Sequence, residues 1–146
     1  MKNNADIPTE ELCSISAENL AEVLSVWQAA ELWPHTAEYE QLIAGALARN
    51  QDMALGWRVG GKLVATAIGT FDGFRGWIHR LAVVPDYRRQ GLAAALVETM
   101  EEKLQQAGAR QINLMVHIPN SGARALYEKL GYEYCDVKVM RKRFQE

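Results

Sequence analysis

The sequence predicts an α/β (α+β) fold, a mixed and mainly antiparallel sheet with helices on both faces. Three observations carry that prediction. The spacing of apolar residues alternates between the strand and helix periods in the order β-α-α-β-β-β-α-β-α-β, with room for one further strand. Gly60-Gly61 separates two β-rich runs, the pattern of a two-residue hairpin, so the middle strands run antiparallel without a crossover helix. The stretch Trp77 to Ala93, W-I-H-R-L-A-V-V-P-D-Y-R-R-Q-G-L-A, reads as a strand, a proline-marked turn and a glycine-rich start of a helix.

Residues 1–10 are polar, carry Pro8, and are expected to form a loose tail; residues 11–146 form a single domain. Glu11 to Ile15 suits a short strand. Ser16 suits an N-cap, and Leu20, Val23, Leu24 and Trp27 give a helical stripe through about Ala30. Trp33-Pro34-His35 breaks it. Thr36 can cap a second helix with Tyr39, Leu42, Ile43, Ala46 and Leu47 on its apolar side. Met53–Val59 and Lys62–Phe71 flank the glycine pair, and Asp72-Gly73-Phe74-Arg75-Gly76 turns the chain into the strand Trp77–Val84. Leu92, Leu96, Met100 and Leu104 recur every four residues, with Glu98, Glu101, Glu102 and Lys103 between them, which makes an amphipathic helix ending near Gly108. Gln111–Ile118 alternates as a strand, with Ile112, Leu114, Val116 and Ile118 on one face. A helix follows from Ser121 to Gly131. Tyr132–Phe144 then supplies one or two closing strands with Val137, Val139 and Phe144 as apolar positions.

With 146 residues, 49% of them hydrophobic, the chain is long enough for one domain with a core. A net charge of −2 provides no basic field for nucleic acid. No apolar run reaches membrane-spanning length, and the N-terminus lacks a signal-peptide apolar region. Cys13 and Cys135 are two isolated thiols without metal spacing, as in a reduced cytoplasmic protein, and three histidines make no metal cluster. A cytoplasmic location and no metal are therefore expected.

The chemistry concentrates at Arg88-Arg89-Gln90-Gly91-Leu92-Ala93. A helix start presents unpaired N–H groups and a positive dipole end, small residues at Gly91 and Ala93 admit an anion to that backbone, and two arginines stand beside it. The residues alone suit either a phosphate cradle or a charged turn before an ordinary helix. The lysine of an ATP-binding loop and the three spaced glycines of a dinucleotide fingerprint are absent, which argues against a kinase or a reductase.

R-x-x-G-x-A following L-A-V-x-P-x-Y resembles the acetyl-CoA motif of the GNAT superfamily of N-acetyltransferases, with Arg88, Gly91 and Ala93 on its motif positions. Downstream, Asn120-Ser121-Gly122-Ala123-Arg124-Ala125-Leu126-Tyr127-Glu128-Lys129-Leu130-Gly131-Tyr132 is similar to the family's N-x-x-A-x-x-L-Y-x-x-x-G-F/Y signature. The resemblance in element order runs from about Glu11 onward. It implies acetyl-CoA as acyl donor, seated where the strands ending at Val84 and near Ile118 splay apart. It also implies that Arg88 to Ala93 hold the pyrophosphate, that Leu81 and Val83 bond the pantetheine arm through their main chains, and that Asn120 caps its helix and contacts the cofactor. Tyr127 matches the tyrosine that many of these enzymes place near the sulfur; a half-buried packing residue is the other reading.

Acetyl transfer needs a neutral amine, a held thioester, donors for the oxyanion and help for the leaving thiolate. A main-chain N–H near Leu81 is the candidate oxyanion donor. Some members use a glutamate at the place of Trp77, and N-terminal-peptide acetyltransferases often carry one at the place of Met115; this chain has neither. His79 shares a nominal face with Leu81 and Val83 and resembles one catalytic histidine of arylalkylamine acetyltransferases, so it is the candidate base. A β-bulge would change its face, a packed strand histidine is the alternative, and water can accept the proton instead. His117 is a weaker candidate. Trp33, His35 and Tyr39 border the acceptor site in the family, or simply pack at a helix corner. Asp72 could attract a cationic amine and Arg75 hold a carboxylate, or the two pair within a surface turn. The expected activity is direct acetyl transfer, without an acetyl-enzyme, to a primary amine of a small molecule or protein. A non-catalytic acetyl-CoA sensor or assembly module is the alternative. Homodimerisation is an expectation from the family.

Overall fold

The computed structural model describes residues 10–32 and 37–144. The expected tail before Glu10, and Trp33, Pro34, His35 and Thr36, lie outside the described residues. The chain divides into two compact units, Met1–Met115 and Val116–Glu146.

The first unit is built on a five-stranded sheet in the order β1 (Glu10–Ser14), β2 (Ala54–Val59), β3 (Lys62–Phe71), β4 (Gly76–Val83), β5 (Ile112–Leu114). Neighbours from β1 to β4 are antiparallel and β4–β5 is parallel. Gly60 and Gly61 have φ of 58° and 81°. Both central residues of the β2–β3 turn are thus left-handed, a backbone that glycine adopts without a Cβ penalty and that matches strand twist. The sequence-derived hairpin is present where expected.

Ser16 closes a capping box with Asn19, its Oγ accepting from the Glu18 N–H while Asn19 Oδ1 accepts from the Ser16 N–H at 2.9 Å. The 3-10 turn so capped leads into α1 (Leu20–Ala29), which buries Val23, Val26 and Trp27. Glu22 on α1 accepts both terminal nitrogens of Arg58 on β2, at 2.6 and 3.1 Å. α2 (Ala37–Arg49) buries Leu47 fully and Ile43 in part, but Leu42 is exposed because it lies about 100° round the helix from Ile43. Residues from β1, α1, α2, β2, β3 and β4, the buried Trp27 among them, form one core cluster.

α3 (Leu92–Ala107) covers the opposite face of the sheet. Its four-residue stripe, Leu92, Leu96, Met100 and Leu104, is buried as the sequence predicts. Met100 packs over Gly69 and Leu104 over Gly76, so that an added Cβ would press on the Met100 side chain at the first and sit tightly against Leu104 at the second. Gly108, at φ 116°, ends the helix.

Two expected elements differ. β5 covers only Ile112–Leu114, because β4 pairs with it over Gly76–Ile78 and no further. Tyr132–Phe144 forms no strand, and Val137, Val139 and Phe144 are exposed. Alternation gives a segment two faces, but a strand exists only where a partner completes its ladder. In the second unit, α4 (Ser121–Lys129) forms as expected, two residues short of Gly131.

Candidate active site

β4 carries an extra residue. Ile68 pairs with His79 and Thr66 with Ala82, so Arg80 and Leu81 together oppose Ala67. Arg80 takes a left-handed φ of 53° to accommodate the bulge. The bulge reverses the alternation. His79, beside Ile68, lies on the α1 side, whereas Val83 packs with Val64 and Leu92 on the α3 side. The nominal face shared by His79 and Val83 is therefore not formed.

His79 stands 2.9 Å through Nε2 from Thr70 Oγ1, and its ring stacks on Trp77 with centroids 6.3 Å apart. Burial, and then the neighbouring Arg80 charge, push its pKa below the ordinary histidine value, so the ring favours its neutral form. From His79 onward β4 has no β5 partner, which leaves that edge of its backbone outside the sheet ladder among the described residues.

After Val83 a 3-10 turn, Pro85–Tyr87, leads to the join. Arg88 donates from Nε to the Val83 carbonyl at 3.0 Å, fastening the turn to the end of β4. Arg89 (φ 63°) and Gly91 (φ 81°) are both left-handed, and Gly91 is the N-cap of α3. No side chain caps that helix start and no acidic residue lies in its first turn. A Cβ built at Gly91 meets nothing within 4 Å. The first N–H groups of α3, flanked by Gln90, Leu92 and Ala93, therefore carry no side-chain cap, an arrangement that suits an anion.

Asp72 is ionised below the usual carboxylate range because its Oδ1 accepts the Arg75 and Phe74 N–H groups, each at 2.7 Å. The Arg75 guanidinium lies 4.5 Å over the Phe74 ring. Both residues thus brace their own turn. Tyr39, on the first turns of α2, is 39% exposed. Among the described residues no group of His, Cys, Asp and Glu is placed to hold a metal ion.

In the second unit Asn120 caps α4, its Oδ1 accepting from Ala123 N–H at 3.0 Å. Tyr127 is buried and meets Tyr132 edge-on at 5.7 Å. Burial pushes its phenol up to about 12, so it stays protonated and able to donate. His117 precedes the cap, its carbonyl accepting from Asn120 N–H at 2.9 Å.

Sequence reasoning missed one group. Thr66, wholly buried in β3, joins Trp27 to the main chain of the bulge. A lone hydroxyl within the apolar run L-V-A-T-A-I was the available signal, since a buried hydroxyl requires partners.

The sequence model of the Acetyltransferase (GNAT) family matches residues 18–132. An acetyltransferase of Sodalis glossinidius is 37% identical over 130 residues, covering 88% of this chain and 92% of the relative. One of Pectobacterium atrosepticum is 36% identical over 124 residues, covering 85% and 88%. Among solved structures, the ribosomal-protein-S18-alanine N-acetyltransferase of Escherichia coli superposes with a TM-score of 0.74 at 29% identity, over 84% of this chain and 77% of that one. The PaiA N-acetyltransferase of Thermoplasma acidophilum, solved with coenzyme A, shares the fold with a TM-score of 0.79 at 20% identity, over 89% and 93%.

Proposed function

The chain belongs to the GNAT acetyltransferase family, and from that premise we propose that it transfers an acetyl group from acetyl-CoA directly to a primary amine of a small molecule or protein. The observation that carries the reading is the uncapped start of α3. Arg89 and Gly91 are left-handed, space is free above Gly91, and the first turn of α3 carries neither a side-chain cap nor an acidic residue. These residues fit a pyrophosphate, with Arg88 to Ala93 as its cradle; Asn120 is a separate candidate contact for the cofactor.

Acetyl-CoA supplies the activated acetyl thioester. The main chains of Leu81 and Val83 would hold the pantetheine arm, and the Leu81 N–H would be the donor for the oxyanion. His79, biased toward its neutral form, accepts the amine proton directly or through water. Tyr127 would donate a hydrogen bond from its phenol to the departing sulfur, with solvent supplying the proton that the thiolate takes up. No thiol is needed as nucleophile. Cys135 is exposed outside both motifs, and burial raises the Cys13 thiol, which disfavours its reactive thiolate.

Tyr39, Asp72 and Arg75 are the described candidates for acceptor contacts in this reading, and Trp33, outside the described residues, is a further candidate. The Escherichia coli relative acts on a ribosomal-protein alanine. Met115 stands here where N-terminal-peptide acetyltransferases often have glutamate, which counts against that subfamily. Residues 11–146 act as one cytoplasmic acetyltransferase domain, and no described helix is long and apolar enough to cross a membrane. Light scattering tests the homodimer expected of the family.

The deciding experiment follows thiol release from acetyl-CoA with a panel of small amines and peptide N-termini, for wild type and Ala93→Glu. The variant puts a carboxylate in the cradle without touching the left-handed Gly91. Amine-dependent release in wild type, abolished in the variant, is expected. Acetyl-CoA binding without release for any amine would leave only a sensor, and release unaffected by Ala93→Glu would remove the cradle.

A further inference from the structure

Of the three described non-glycine residues with positive φ, only Arg80 lies within a strand. An L residue keeps that backbone only where its surroundings hold it. The holding contacts are specific. Thr66 Oγ1 donates its hydrogen to the Arg80 carbonyl oxygen at 2.9 Å. Trp27 Nε1 donates to the same Oγ1, also at 2.9 Å. Since an indole nitrogen can only donate, the hydroxyl must accept there and spend its single proton on Arg80. The Arg80 guanidinium lies 4.9 Å over the Trp27 ring, adding a second tie between α1 and the bulge. Thr66 and Trp27 are both buried from solvent.

The Arg80 carbonyl and the Leu81 N–H belong to one planar peptide unit, and in a trans peptide they point in opposite directions. Fixing the carbonyl toward Thr66 on β3 therefore sends the Leu81 N–H away from β3. Beyond Ile78, the other side of β4 has no β5 partner. We infer that Thr66, itself aligned by the Trp27 indole, sets the rotation of the Arg80–Leu81 peptide and so aims the Leu81 N–H at the thioester carbonyl oxygen. Thr66 and Trp27 are thereby positioning residues for acetyl transfer, acting through the backbone without touching substrate. This rests on the acetyltransferase reading above.

The test is isotope-edited infrared spectroscopy of acetyl-CoA labelled with carbon-13 at the thioester carbonyl, bound to wild type, Thr66→Ser, Thr66→Val and Trp27→Phe. A donor aimed at the carbonyl lowers its stretching frequency. Wild type and Thr66→Ser should show the lowered band, whereas Thr66→Val, isosteric but without the hydroxyl, should return it toward the free position with acetyl-CoA still bound. With an active amine, Thr66→Val should lose about tenfold in kcat at little-changed KM, and Thr66→Ser should recover it, because a misaimed donor is lost mainly in the transition state. An unchanged band in folded, ligand-bound Thr66→Val would overturn the inference. If that variant fails to fold by circular dichroism, Trp27→Phe decides, with a partial return of the band expected and no change overturning the inference. A wild-type protein that binds no acetyl-CoA fails the acetyltransferase reading itself, before any variant is compared.

Discussion

His79 and Tyr127 are shifted by burial in opposite directions, and each shift keeps the group neutral near pH 7. For His79 the folded pKa lies below the unfolded value near 6.5. The unfolded chain then binds more protons between the two values, so stability is fully present above about pH 6.5 and is lost as pH falls toward the folded pKa. Denaturant titrations across pH 5 to 8 should show that slope for wild type and a shallower one for His79→Gln. In the rate profile, kcat/KM should fall on the acid side with a midpoint below 6.5. His79→Gln should lower it about a hundredfold and remove the limb; a variant that keeps both rate and limb would hand the proton to water. Tyr127→Phe should reduce kcat roughly tenfold or more with acetyl-CoA affinity retained, as expected of a lost hydrogen-bond donor. An equal fall in affinity and no change in kcat would instead make Tyr127 a packing residue.

The elements explain why backbone, more than side chains, builds the cradle and the bulge. α3 is held by a full four-residue stripe, so its first turn need not be capped to stay helical, and its N–H groups remain available. β2 lies between β1 and β3, with Gly56 opposite Cys13 and Thr66. An added Cβ there would lie 2.6 Å from Leu63 Cδ1, 2.9 Å from Ile15 Cγ2 and 3.3 Å from the Ala65 carbonyl oxygen. Gly56→Ala should therefore cost about 1–3 kcal/mol through overpacking. Urea unfolding measures this directly, and a neutral result would mean that Ile15 and Leu63 can yield.

At the scale of the whole molecule, ligand binding should appear as stability. Acetyl-CoA at about 100 times its dissociation constant should add roughly 2.7 kcal/mol. For a chain of this size that corresponds to a rise in Tm of about 5–10 °C. CoA should act similarly, ATP and NAD should not, and Ala93→Glu should lose the rise. Equal shifts with ATP would reduce the cradle to a general phosphate site. The family match crosses both compact units, since residues 18–132 include α3 in the first and Asn120 and Tyr127 in the second.

Sequence alone determined the order of the elements from β1 through α4, the Gly60-Gly61 hairpin, the buried stripe of α3 and the two motifs. These depend on short-range rules: apolar period, left-handed glycine and residues at fixed spacing within one element. The boundaries of β5 and the fate of Tyr132–Phe144 were not legible, because strand formation depends on a partner far away in sequence. Tertiary structure alone decided the face of His79. One extra residue in β4 separates it from Val83, and that bulge is held at Arg80 by a threonine on β3 and a tryptophan on α1. Such a contact joins residues 39 positions apart in sequence. Its hydrogen-bond geometry is fixed only once helix and sheet are packed.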